Sequence, residues 1–217
     1  MEGKDSMTTH EWFDIYDADN RWRGTAPRHE VHRHGYWHHS FQCWIVQDRG
    51  EERYLLFQLR HPDKDTYPGR LDISSAGHLT AGETVRDGSR ELAEELGLAV
   101  PFEELYELGV YAQDKTIRAD LIDREFCHVF LYRSDRTLTD YVLQKEEVTG
   151  LFLLRLADVK RLVRDRDAEA IAEGIILDGP EGTTYREETR TVVFRDLVPH
   201  ETGYYEWVLQ AAEAYRP

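Results

Sequence analysis

Long apolar runs are missing from these 217 residues, and so is any excess of positive charge. No stretch approaches the roughly 20 consecutive apolar residues of a membrane-spanning helix, so no membrane partner is expected. Lys and Arg number 27 against 42 Asp and Glu, a formal net charge of −15. So acidic a chain is a poor partner for the phosphate backbone, and charge-driven binding of nucleic acid is not expected. Phosphates would meet its carboxylates with a cation in between. Cysteine is scarce. Cys43 and Cys127 can pair with each other, but two thiols build neither a disulfide framework nor a zinc knuckle. The stretch Met1–Thr9 is polar and lacks the apolar core of a signal peptide. A reducing compartment fits, which for a prokaryotic source means a cytoplasmic protein.

What is present suits a folded domain. Hydrophobic residues make up 41% and aromatics 12%, enough for a core. The expected organisation is a loose tail over 1–9, one domain over 10–167, and an extension over 168–217 packed on that same domain. The run from Glu11 to Thr25 reads as a hairpin around an Asp-Ala-Asp-Asn turn. Strands are expected at Phe41–Gln47, Tyr54–Leu59, Leu71–Ser74, Leu105–Tyr111, Glu125–Tyr132 and Leu151–Leu154. The stretch from His61 to Arg70 is a loop. A helix is expected over Thr84–Leu96, with Thr84 and Asp87 as a capping pair, Gly97 as the C-cap, and Gly88 costing about 1 kcal/mol against Ala. A second helix begins near Ala157. In the extension, Glu181–Tyr185 reads as a turn, Thr191–Phe194 as a short strand and Tyr204–Tyr215 as a final helix. This order points to an α/β or α+β sandwich with a mixed sheet.

Chemistry concentrates in Arg90-Glu91-Leu92-Ala93-Glu94-Glu95-Leu96-Gly97-Leu98. Glu91, Glu94 and Glu95 lie at i, i+3 and i+4, so a helix projects them from one face. Three such carboxylates repel one another and suit a hard cation, Mg²⁺ or Mn²⁺. Arg90 sits one turn before Glu94 and can neutralise part of the charge. Most Glu-rich helices are solvated faces. A longer pattern sets this one apart: Gly77, a five-residue gap, Glu83, a six-residue gap, then the run above.

That pattern resembles the box of the Nudix family, G-x5-E-x7-R-E-U-x-E-E-x-G-U with U aliphatic. The second gap here is one residue short. The resemblance extends from about Glu11 to Leu162 and does not cover residues after about 168. It implies an α/β/α sandwich that hydrolyses a diphosphate linked to another moiety, a small-molecule substrate. It further implies Glu91, Glu94 and Glu95 as metal ligands, the Ala76 carbonyl as an added ligand, and Arg90 and Glu83 as supports. Glu94, Glu95 and Arg90 would thus serve catalysis. Family habit also points to a homodimer packed through the N-terminal hairpin and the C-terminal segment.

Within the family the chain looks most like the branch of isopentenyl diphosphate isomerase. The likeness rests on Val31–Phe41, Lys64–Asp72 and Asp123–Phe130. It implies a second metal set of His38, His78, Asp123 and Glu125, with His32 less securely placed. Glu125 is the first candidate for an auxiliary catalytic acid or base, with Glu146 and Glu147 competing. Lys64 and Arg70 are candidate diphosphate-binding cations. Each has a plain alternative: loop-capping histidines, an edge-strand charge at Glu125 and a solvated loop at Lys64 and Arg70. Trp12, Trp22, Trp37 and Trp44 read as core or lid. The isomerase also needs a cysteine just before the loop glycine, where this chain has Ala76. Hydrolysis at phosphorus needs none. The leading expectation is therefore a diphosphohydrolase acting on a nucleoside diphosphate derivative or an isoprenyl diphosphate. An isomerase-like enzyme and a non-catalytic diphosphate-binding module are the alternatives.

Overall fold

The computed structural model describes residues 11–179 and 184–216. The 1–9 tail, and the part of the Glu181–Tyr185 turn before Thr184, lie outside the described residues. In chain order the elements are β1 (Trp12–Tyr16), β2 (Trp22–Pro27), α1 (Arg28–His34), β3 (Trp37–Arg49), β4 (Glu52–Arg60), β5 (Leu71–Asp72), β6 (Ser75–His78), α2 (Arg90–Leu96), β7 (Tyr106–Arg118), β8 (Leu121–Arg133), β9 (Val148–Arg155), α3 (Leu156–Arg164), β10 (Ala170–Asp178), β11 (Thr184–Val192) and α4 (Thr202–Ala214). They sort into two compact units. One holds residues up to Gln42 with Ala76–Ser89 and Gly109–Val129; the other holds Cys43–Ser75, Arg90–Leu108 and residues from Phe130 on.

In the first unit β1 and β2 form the expected hairpin, with Phe13 opposite Ala26. Its turn closes because Asp17 Oδ1 accepts the Asp19 and Arg21 amides at 3.0 and 2.9 Å. The stretch His29–His34, which showed no strand or helix signal of its own, lies within α1 and buries only Val31. The expected helix over Thr84–Leu96 is shorter than predicted. Asp87 Oδ2 accepts both the amide and the hydroxyl of Thr84, at 2.8 and 2.7 Å, and Asp87–Ser89 is a 3₁₀ turn. The α-helix starts only at Arg90. Gly88 is needed here rather than merely tolerated. A Cβ there would sit 2.6 Å from Leu79 Cδ2 and 2.7 Å from Phe41 Cβ.

In the second unit the strand order is β11-β10-β9-β4-β3, all antiparallel, with β5 beside β4. The register sets Leu56 against Leu153 and Phe57 against Phe152, and these residues are buried. Leu71 and Leu197 form a parallel bridge outside these strands' ladders. Gly97 ends α2 at φ +62°, and its amide and that of Leu98 return to the Ala93 and Leu92 carbonyls at 3.0 and 2.9 Å. The C-terminal segment brings more strand than expected. β10 pairs with β9 and with β11; of the short strand foreseen at 191–194, Thr191 and Val192 end β11, whereas Phe194 opens a 3₁₀ turn. α4 buries Tyr204, Tyr205, Val208, Leu209 and Ala212. Trp44 Nε1 donates to Tyr204 Oη at 2.9 Å, and Arg53 Nη1 donates to the Ala212 and Tyr215 carbonyls. Cys43 and Cys127 are both free, buried thiols. No helix among the described residues is long and apolar enough to cross a membrane.

Candidate active site

The second unit carries the acidic helix. On α2 the three carboxylates are not equivalent. Glu94 is exposed, Glu91 is largely covered and Glu95 is buried, at 5% exposure. Helical spacing put them on one side. Leu92 and Leu96 face the core, and Glu95, beside Leu96, is drawn in with them. Gln58 Nε2 stands 3.4 Å from Glu95 Oε2. Arg90 Nη1 bridges Glu91 and Glu94, the latter at 3.0 Å. One guanidinium thus offsets the repulsion that the sequence leads one to expect.

Lys64 and Arg70 lie in the same unit, and both are engaged. Lys64 Nζ is ion-paired with Glu147, one of the competing candidate bases, whereas Glu146 is exposed. Arg70 lies over the Tyr67 ring and its Nη1 reaches the Leu197 carbonyl at 3.3 Å. The loop between them is braced by Arg60, which donates to Thr66 O at 3.0 Å and to Asp72 Oδ2 at 2.8 Å. A cleft of about 400 Å³ in this unit is lined by paired charges such as Lys160 with Glu213, and holds none of the candidate residues.

The first unit gathers the other set. One ligand atom each from His32, His38, His78 and Asp123 falls within 4.8 Å of the others. They come from α1, β3, β6 and β8. Strand alternation makes this selective. His38 points into the cluster, while its neighbour His39 pairs with His128 at 2.7 Å beside a cavity of about 190 Å³ that Glu83 also lines. Glu83 Oε2 accepts the Thr80 amide at 2.7 Å and closes its own loop.

The protons in the cluster can be placed. A carbonyl only accepts, so the 3.0 Å contact from His38 Nδ1 to Tyr36 O puts the proton on Nδ1. His38 Nε2 is then a lone pair, fully buried and without a hydrogen-bond partner, 3.7 Å from Asp123 Oδ1. His32 Nε2 is 3.8 Å from that same oxygen. A lone pair facing a carboxylate is the arrangement that a cation between them would satisfy. Burial, then the neighbouring histidines, pushes His38 down to about 4 and His32 down to about 2, and His78 is lowered chiefly by burial. All three are therefore neutral at pH 7, the form that ligates metals. Burial alone would raise Glu125, but the hydrogen bond from His78, 3.3 Å away, outweighs it and holds the carboxyl below its usual range.

Three further residues belong to this cluster and carried no signal as site residues. Phe13 stacks on His38 and His78, at 5.3 and 4.9 Å between centroids, and meets His32 edge-on. Arg28 approaches His78 Nδ1 at 3.3 Å. Cys127 lies 3.8 Å from Glu125, and burial raises its thiol well above the ordinary value. Period-two alternation in β1 marks Phe13 as inward-facing, but nothing in the sequence says against what.

The family model for the NUDIX domain matches residues 37–174. An uncharacterized Nudix hydrolase of Clostridium acetobutylicum is 41% identical over 93% of this chain and 96% of its own length. Nudix hydrolase 3 of Arabidopsis thaliana is 36% identical over 72% of this chain, which spans 21% of that larger protein. The isopentenyl-diphosphate Delta-isomerase of Serratia proteamaculans is more distant, 30% identical over 54% of this chain and 63% of its own. Among solved structures, DR0079 of Deinococcus radiodurans superposes with a TM-score of 0.54 at 22% identity, covering 71% of this chain and 90% of that one, and so shares the fold. With its box, its mixed α+β fold and these relatives, the chain belongs to the Nudix hydrolase family.

Proposed function

We propose that the protein is a divalent-metal-dependent diphosphohydrolase. The observation that carries this reading is the intact acidic set on α2, with Glu91 and Glu94 bridged by Arg90 and Glu95 buried beside Gln58. Glu91, Glu94 and Glu95 would hold Mg²⁺ or Mn²⁺, and Arg90 bridges two of them. When bound, the metal neutralises diphosphate charge and lowers the pKa of a water. Glu95, drawn into a low-dielectric setting, is the carboxylate best placed to take a proton from the attacking water. Glu125 is the candidate outside the helix. The substrate is a small nucleoside diphosphate derivative or an isoprenyl diphosphate, with Lys64 and Arg70 as its phosphate-binding cations once Lys64 exchanges Glu147 for substrate.

A second reading, an isomerase-like enzyme, is favoured by one observation, the orphaned lone pair of His38 facing Asp123. It marks a nitrogen-rich centre able to hold a transition metal. Ala76 weighs against proton transfer at carbon, because a methyl group has no proton to give. We assign one Nudix domain to residues 10–167 with 168–217 as its extension; the family match itself covers residues 37–174. The test is phosphate and pyrophosphate release from a panel of nucleoside diphosphate sugars, nucleotides and prenyl diphosphates with Mg²⁺ or Mn²⁺. Turnover that vanishes in chelator and returns with metal is expected. Product isomerised without phosphate release would favour the second reading, and binding without any turnover would favour a non-catalytic module.

A further inference from the structure

We infer that Arg28 is a positioning residue that sets how tightly the histidine–aspartate centre takes a cation, because it competes with that cation for His78. The inference rests on the reading of His32, His38, His78 and Asp123 as a metal centre.

Arg28 opens α1. Its Nη1 lies 2.8 Å from Glu11 Oε2 and 3.3 Å from His78 Nδ1. A guanidinium has donors only. His78 Nδ1 must therefore accept, and the single proton of the neutral ring sits on Nε2. That nitrogen faces Glu125 Oε1 at 3.3 Å, and a carboxylate accepts. Arg28 and Glu125 thus agree on one tautomer, Nε2–H. His38 has the other, with Nδ1–H given to Tyr36 O and Nε2 bare. Two histidines of one cluster are held in opposite proton arrangements. One is ready to ligate and the other is blocked.

For His78 to lend Nε2 to a cation, its proton must leave Nε2 and one must arrive on Nδ1. The ring still carries one proton. Nδ1–H would then point at the Arg28 Nη1 donor, with the guanidinium charge close to the incoming metal. Arg28 has somewhere to go. Glu11 accepts from the same Nη1, and the guanidinium carbon lies 5.8 Å over the Phe13 ring that also supports the imidazoles. Filling the centre therefore means exchanging one cation for another at His78. That exchange disfavours ions with little affinity for imidazole, such as Mg²⁺, and admits strong imidazole binders such as Zn²⁺.

Two measurements test this. In metal-free protein, ¹⁵N–¹H long-range spectra of the histidine rings should show His78, identified by its loss in His78→Gln, as the Nε2–H tautomer. In Arg28→Met, which keeps an unbranched apolar stem, the ring should lose part of that preference, because Glu125 alone then holds the Nε2–H form. Zn²⁺ affinity, read by competition with a chelating dye, should rise by about 10-fold, the lower end of what an outer hydrogen bond to a ligand histidine commands. The His38→Gln variant identifies which binding belongs to this centre. If Zn²⁺ binds in a His38-dependent way but Arg28→Met binds it no more tightly, the role of Arg28 is overturned and the metal reading stands. If no Zn²⁺ binding depends on His38, the metal reading fails and this inference with it. A wild-type His78 found as Nδ1–H overturns the inference without any variant.

Discussion

Two histidine–aspartate pairs, His200 with Asp72 and His38 with Asp123, differ in one respect. In the second unit His200 Nε2 and the Ile73 amide both donate to Asp72 Oδ1, at 3.0 and 2.8 Å, and Arg60 donates to Asp72 Oδ2 at 2.8 Å. In the first unit His38 Nε2 stands 3.7 Å from Asp123 Oδ1 with no proton to give. Both pairs are buried enough to need a partner. The Asp72 carboxylate has found its donors within the chain, whereas the His38 Nε2 has no hydrogen-bond partner. A satisfied buried pair ties elements together; an unsatisfied one is held open for something else. Asp72 and His200 join β5 to the segment leading into α4, next to the loop that carries Lys64 and Arg70.

The comparison breaks most visibly through stability. Asp72→Ala leaves Arg60 and His200 buried without their acceptor and should cost about 3–5 kcal/mol, the range for breaking a buried ion pair from one side. Urea unfolding would measure it, and a loss near zero would make the two pairs alike. Next comes Glu95→Gln. The exchange keeps shape and the Gln58 contact, so the melting temperature should hold, while Mg²⁺-dependent phosphate release should fall by about 100-fold or more. Activity within a few-fold of wild type would remove Glu95 from the mechanism. His38→Gln should lower Zn²⁺ affinity by at least about 10-fold and cost less stability than Asp72→Ala; the reverse ranking would exchange the roles of the two pairs.

The smallest effect is one of slope. Burial alone would raise Asp72, but the hydrogen bond from His200 and the charge of Arg60 hold its carboxyl below the usual range. A carboxyl depressed on folding contributes stability that is complete above its unfolded pKa of about 4 and is lost as the pH falls below that. Stability of Asp72→Asn, followed by urea midpoint down the acid range, should therefore decline less steeply below about pH 4 than wild type. Parallel curves would mean that the carboxyl is not depressed.

Much of this was legible beforehand, and the rest was hidden for physical reasons. The acidic run Arg90–Leu98 declared its helix and its Gly97 cap because the signals are local. Thr84–Ser89 misled because a capping pair and a helical period look alike in a 3₁₀ turn, and the packing of Gly88 on Phe41 is decided by a distant strand. β10 was missed because Ala-Ile-Ala-Glu-Gly has weak strand propensity, which pairing with β9 overrides. His38, His78, Asp123 and Glu125 were found through resemblance, and the structure brings them together in one unit. Arg28 and Phe13 were not found, since their meaning lies in what they face. Nor did spacing foretell that Glu95 is buried and Glu94 exposed, because the direction of a helix face depends on what covers it.

The outermost strand of the second unit has a practical consequence. β11 reads Thr-Tyr-Arg-Glu-Glu-Thr-Arg-Thr-Val, with Arg186 and Arg190 each bound to Glu188. A bare strand edge is a template on which further chains can add, and a row of charges spoils it. In a concentrated solution this rim should keep copies of the protein from zipping together. Replacing Arg186, Glu188 and Arg190 with threonine would leave catalysis far behind as a concern and make shelf life the first thing to fail.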